Sequence, residues 1–301
     1  MHRLPFVAVL TVVLTFVLPS MARAEDPPFV GWSSLLAGTS TGFEPTSEDD
    51  CVAGREACID KVIREMDRRF RPLAERCDHD AIFALGYLRT TEEYRRSIQD
   101  PHFFQDTAFV NHEDAVFAAY YVEAFDAWHS GDRDRVPPAW QVAFRAADEK
   151  SLPASGNLVL GVNAHIQADL PFVLAGIGLV KPDGSSRKAD HDKVNEFLNR
   201  VTDDMIPEMA RRFDPTIDDG DLPTFVDDVL TFQSIPAWRE IAWRNAERLV
   251  AAPDAASRAR VAADIHAYAA SQARLLASAT AYRLLQTSAP RDRYCASVAQ
   301  G

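Results

Sequence analysis

The sequence predicts an all-α fold, a multi-helix bundle in which one core helix carries buried polar residues. Three observations predict it. Beyond residue 50, apolar side chains recur at three- and four-residue spacing nearly everywhere. Helix starts are marked by Asp or Pro, as at Asp100-Pro101, Pro137-Pro138 and Asp254. Alternating β-branched runs bounded by hairpin turns do not occur. No internal repeat of fixed period is found, so residues 51–301 are read as one helical domain.

The elements follow in order. His2 and Arg3 precede an apolar run from Leu4 to Leu18, too short for a transmembrane helix and followed by Pro19 and Ser20. Ala22-Arg23-Ala24 offers a small-x-small cleavage pattern, so residues 1–24 are expected to be a secretory signal peptide. The mature chain then begins at Glu25 and works outside the cytoplasm, secreted or periplasmic. Residues 25–50, rich in Pro, Gly, Ser and Thr, form an irregular lead-in. Ile59, Val62, Ile63, Met66 and Phe70 make one face of a helix expected to end near Pro72. A second helix spans about 80–96. A third is expected to open at Asp100-Pro101 and run to about Trp128, and a fourth runs from Pro137-Pro138 to about Glu149. Leu152 to Val180 is the most apolar stretch. After the Lys181–Ser186 loop come an amphipathic helix over about 188–213 and a turn-rich segment to Pro223. A helix bearing Trp238 and Trp243 is next, and Asp254 caps a last long helix to about Gln286.

Charge narrows the possible partners. The formal charge is −12, and loss of the leader removes Arg3 and Arg23 but no acid, giving −14. Such a chain repels phosphate backbones and has no basic stripe interleaved with aromatics, so nucleic acid is disfavoured. Four cysteines (Cys51, Cys58, Cys77, Cys295) in an exported chain favour two disulfides. Cys51 and Cys58 cannot pair within a regular helix, which would place them roughly 10 Å apart. They can pair if the chain around Gly54 is irregular, leaving Cys77 for Cys295.

The informative segment is Leu158–Val180. Its length suits a membrane span, but Asn163, His165, Gln167, Asp169 and Pro171 interrupt it too densely, so a soluble core helix is expected. His165 and Asp169 are four residues apart and share a face, as do Asn163 and Gln167 on roughly the opposite side. A local hydrogen bond that fixes helix packing explains a single such pair. His102 and Asp106 repeat the spacing, and Glu113 continues the same side of that helix, whereas His112 falls off it toward a solvated rim. Two helices each offering an imidazole and a carboxylate can build a metal site in a bundle, with His102, Asp106, His165 and Asp169 as ligands. Zinc, manganese or iron would suit those donors. A bound water could then attack an ester or phosphoester, with Glu113 as ligand or general base and Asn163 beside it. Asp190 could add a ligand, though a helix N-cap explains it equally well. Other catalytic patterns fail: His112-Glu113 begins a zincin motif that Val116 breaks, and no nucleophile elbow, phosphate loop or CxxCH is present.

Leu160-Gly161-Val162-Asn163-Ala164-His165-Ile166-Gln167-Ala168-Asp169-Leu170 resembles the LG-x-NAHI-x-x-DL signature of a bacterial and fungal family of unknown function. Phe117–Tyr121, Val136–Trp140 and the segment from Asp190 to Asn195 resemble its flanking stretches. The resemblance implies a helical domain whose signature polar residues are Asn163, His165, Asp169, Asp190 and Asn195, and it brings no activity. A looser likeness is to the zinc-dependent phospholipase C and nuclease group, exported helical proteins with H-x3-D steps, although no further histidine follows soon after Asp169. The leading expectation is a metal-dependent hydrolase acting on a small or lipid-like substrate. The competing one is a non-catalytic binding or structural protein with a buried Asn/His/Asp network. A haem protein with His165 as axial ligand ranks last.

Overall fold

The structure is a computed structural model that describes residues 42–218, 234–278 and 288–299. The leader and residues 25–41 of the lead-in lie outside the described residues, as does the expected end of the last long helix. Ten α-helices follow: α1 (Glu56–Glu75), α2 (Ala81–Ser97), α3 (Thr107–Ser130), α4 (Pro138–Asp148), α5 (Ala154–Asn163), α6 (Leu170–Ile177), α7 (Lys188–Arg212), α8 (Ser234–Ala251), α9 (Ala255–Leu276) and α10 (Ser288–Ala299). A π-helical turn, Ala164–Asp169, joins α5 to α6. Among the described residues there is no strand, only one antiparallel bridge between Val180 and Ser186. The all-α bundle with a polar core helix is as expected.

The bundle is organised around the continuous segment from α5 to α6. Helices α2, α4 and α9 pack on α5, and α3 and α8 pack on α6. Ala154–Ile177 is long and apolar enough to cross a membrane, but 89% of its most apolar stretch is buried within the protein, the environment of a core helix. Its N-terminus follows Pro153, and Asp214 Oδ2 caps it from a distant element by accepting from the Ala154 N–H at 3.0 Å. The π turn has a local cause. Pro171 lacks an N–H and its ring crowds the carbonyl one turn back, so the ladder widens just ahead of it. There the Leu170 N–H reaches back to the His165 carbonyl.

Two helix boundaries differ from expectation. Helix α1 runs through Pro72 to Glu75, because Leu73 extends its buried stripe (Ile59, Val62, Met66, Phe70) by another step. Helix α3 begins at Thr107, not after Asp100. Asp100 spends its carboxylate on the His102 N–H at 2.9 Å in a turn, and Asp106 is the N-cap, accepting from the Phe109 N–H at 3.2 Å. The turns between them sink Phe104 among Tyr94, Val110 and Phe197.

Both disulfides form as the spacing allowed, Cys51–Cys58 with Cα atoms 4.9 Å apart and Cys77–Cys295 at 5.9 Å. The first depends on Gly54, whose φ is +66° and whose missing Cβ would lie 1.7 Å from the Ala108 carbonyl oxygen. The short loop is thus pressed onto α3. Asn111 Nδ2 donates to the Gly54 carbonyl at 2.8 Å, and His112 Nδ1 donates to the Cys51 carbonyl at 2.8 Å. His112 is therefore buried, not at a solvated rim, because the loop and Phe43 cover it. Gly54→Ala is expected to destabilise the fold by about 3 kcal/mol or more, from left-handed strain plus the clash. Gly131→Ala, with φ +86° but open space around the Cβ, should lose about 1–2 kcal/mol. Urea unfolding of the two variants checks the ordering.

Candidate functional site

A cavity of about 500 Å³ opens between α2, α3, α5 with its π turn, α7 and the start of α8. Most of its wall is aliphatic or aromatic, including Leu158, Val162, Val201, Met205 and Ile206. Its polar lining includes Tyr87 from α2, Glu113 and Asp114 from α3, His165 from the π turn and Arg239 from α8.

His165 is the most constrained of these. Its ring stacks on Phe117 with centroids 3.5 Å apart and planes within 4°, and Tyr87 meets it edge-on at 4.5 Å. Nδ1 lies 2.9 Å from Asp169 Oδ2, and Trp140 Nε1 donates to the same oxygen at 2.8 Å. Burial holds the imidazole well below its ordinary pKa and pushes the Asp169 carboxyl well above its own, the Trp140 bond partly offsetting the latter. With Nδ1–H donating to Asp169, the Nε2 lone pair is left over. Nε2 has no hydrogen-bond partner among the described residues, and neither do Tyr87 Oη or Asp114 Oδ2. With the buried Nε of Arg239, which also has no partner among the described residues, four orphaned polar atoms thus belong to side chains lining one apolar cavity, where each would ordinarily be satisfied.

Glu113 and Asp114 are half-buried and line the cavity. Burial pushes both carboxyls up to about 7, with Arg239 restraining Glu113 and Glu113 raising Asp114 further. Arg239 is buried too, drawn down to about 10, and donates to the His191 carbonyl at 2.7 Å. Between their ordinary values, 4.5 and 3.8, and about 7, the folded protein holds protons that the unfolded chain has released. The stability contributed by these groups therefore falls as pH rises through that window and is flat above it. Glu113→Gln should gain stability over the parent as pH rises from 4 to 7.5, on the order of 2 kcal/mol by the upper end. Paired unfolding curves across that range check it, and an unchanging difference would contradict the assignment.

The expected metal ligands are not brought together. His165 and Asp169 bond to each other in the interior, whereas His102 is exposed ahead of α3. Asp106 is held at 2.9 Å by Arg187. Among the described residues no three His, Cys, Asp or Glu side chains form a group that could hold a metal ion. Phasing explains the outcome: α3 starts six residues later than the Asp100-Pro101 signal suggests, so His102 and Asp106 never share a helix face.

The remaining candidates are placed as follows. Asn163 lies outside the cavity wall, donating to the Ala269 carbonyl at 3.0 Å and accepting from Gln167 at 2.9 Å, which ties the π turn to α9. Asp190 accepts from the Gln105 and Asp106 N–H groups at 2.8 and 3.0 Å and fastens the start of α3 to α7. Asn195 follows one turn later on α7, with its Oδ1 buried and without a partner among the described residues. Sequence reasoning missed Tyr87, Asp114 and Arg239. An adjacent acidic pair within an apolar helix was the available signal for Asp114, and nothing in the local sequence marks Tyr87.

A profile of a protein family of unknown function matches residues 59–279, which takes in every side chain of the cavity wall named above. Comparison with curated proteins and with solved structures finds no match.

Proposed function

Since the chain belongs to that family of unknown function (DUF5995), and the family brings no activity with it, we propose from the cavity alone that the protein binds a small, largely apolar molecule with a polar end. The observation that carries this is the presence of His165 Nε2, Tyr87 Oη, Asp114 Oδ2 and Arg239 Nε, all without hydrogen-bond partners among the described residues, on residues lining one apolar space. A lipid-like molecule buries its hydrocarbon against Leu158, Val162 and Met205 and gives those polar atoms partners. The same residues form a general-purpose apolar receptacle if the polar wall is removed, so specificity rests on that wall. Two disulfides fit an oxidising, extracytoplasmic compartment, and the leader-like residues 1–24 support export to it.

The test is binding of a hydrophobic fluorescent dye, 1-N-phenylnaphthylamine, and its displacement by ten-carbon amphiphiles. Dye binding that is lost in Val162→Trp and Val201→Trp, with circular dichroism unchanged, supports the reading. A protein that binds no dye, or binds it equally well with the cavity filled, overturns it.

A catalytic reading has one observation in its favour, the Asp169–His165 pair at the cavity wall. In it His165 Nε2 takes a proton from water as its oxygen adds to an ester carbonyl. The proton then passes to the departing alkoxide, yielding an acid and an alcohol. Hydrolysis of p-nitrophenyl decanoate that disappears in His165→Gln, while dye binding persists, supports it. Rates equal to the buffer blank remove it.

A further inference from the structure

We infer that the occupant of the cavity carries a primary or secondary ammonium head group, that is, an amphiphilic amine. This rests on the ligand-binding reading above and names the class of ligand.

The argument runs from the inventory of charges and lone pairs on the polar wall. Helix α3 contributes two carboxyls, Glu113 and Asp114, and neither has an ion-pair or hydrogen-bond partner among the described residues. Helix α8 contributes the one cation of the described lining, Arg239, and its guanidinium is engaged only in part, the buried Nε having no hydrogen-bond partner among the described residues. Its Nη2 donates to the His191 carbonyl at 2.7 Å and lies 3.3 Å from His191 Nδ1. From α2 come Tyr87 and Tyr94, both kept protonated by burial, and from the π turn comes an uncharged His165. Helix α7 adds Thr202 and aliphatic side chains but no charge to the lining. With both carboxyls ionised, the wall is one negative charge in excess.

Hydrogen-bonding capacity points the same way, and independently. His165 is only 3% exposed and Tyr87 6%, and each lines this cavity and has a buried polar atom without a partner among the described residues. His165 Nε2 is an acceptor, as are ionised carboxylate oxygens, and the Tyr87 oxygen can accept as well. The described lining also holds two donors, the unpartnered Arg239 Nε–H and the Tyr87 hydroxyl, but the two carboxylates tip the balance toward a head group that donates. An ammonium with two or three N–H bonds does so, whereas a fatty carboxylate would face the like charge of Glu113 and Asp114.

The experiment is a displacement series on the full protein at pH 8 with decylamine, decanol and decanoate, each below its micelle concentration. Decylamine is expected to displace the dye at a concentration roughly tenfold below decanol and decanoate, the equivalent of one charge-assisted hydrogen bond. Asp114→Asn and Glu113→Gln should each narrow that gap by weakening decylamine more than decanol. Decanol or decanoate displacing as well as decylamine overturns the inference but leaves the cavity reading standing. So does a gap that both variants preserve. If none of the three displaces the dye, the cavity reading itself fails. The comparison on the unmodified protein does not depend on either variant folding.

Discussion

Asp169→Ala is expected to lower the unfolding free energy by about 3–5 kcal/mol, the scale of breaking a buried hydrogen-bonded pair. Asp169 Oδ2 is the common acceptor for Trp140 Nε1 and His165 Nδ1, at 2.8 and 2.9 Å. Removing it leaves two buried N–H groups without an acceptor, at about 1–3 kcal/mol each. The indole and imidazole are packed against Phe83, Tyr121 and Phe144, so water cannot replace the lost oxygen without disturbing that aromatic cluster. Asp169→Asn keeps one acceptor oxygen at the same place and should lose clearly less. Urea denaturation of the two variants at pH 7 checks this, and a deficit below about 1 kcal/mol for Asp169→Ala would count against the pairing.

Opening the Cys77–Cys295 bridge is expected to be at least as damaging. The bridge closes a loop with a sequence separation of 218, for which chain entropy alone gives about 5 kcal/mol. By the same relation the Cys51–Cys58 bridge, with a separation of 7, is worth about 2 kcal/mol. The long bridge does not act alone in holding α10. His79 bonds Asp292 at 2.8 Å, and Arg291 bonds Asn157 at 2.5 Å beneath it. A Cys77→Ala, Cys295→Ala double variant should therefore melt well below a Cys51→Ala, Cys58→Ala one, and calorimetry of both gives the order. Equal melting temperatures would mean that the α10 contacts alone carry the closure.

The parts of this protein that could be read from its sequence are those set by periodicity and local spacing. The three–four repeat from Ile59 to Phe70 gave α1. The four-residue steps His165–Asp169 and Asn163–Gln167 gave two hydrogen bonds that the structure contains. The disulfide pairing followed from helix rise and one glycine. What was not legible depends on contacts between distant segments. Asp190 caps the start of α3 from 84 residues away, so a helix start that looks local at Asp100 is decided elsewhere. The candidate site suffered most from this. It draws Tyr87, Asp114, His165 and Arg239 from four separate elements, and only His165 carried a sequence pattern that singled it out. The four expected metal ligands are not grouped among the described residues, because α3 begins later than its local start signal suggests.

Helix α3 has the final consequence. Asn111 and His112 grip the small disulfide loop, while the next two residues, Glu113 and Asp114, face the cavity. Four successive positions thus serve two different contacts, and Asp106 and Asp190 fix where the counting begins. One residue inserted or deleted between 107 and 110 would turn everything downstream by about 100°. An insertion would put His112 in the cavity-lining place of Glu113, and a deletion would put Glu113 in the loop-gripping place of His112. Side chains along this stretch can be exchanged one at a time, but its length cannot drift. Natural variation in this helix should therefore consist of substitutions, with gains and losses of residues confined to the turns before Asp106 and after Gly131.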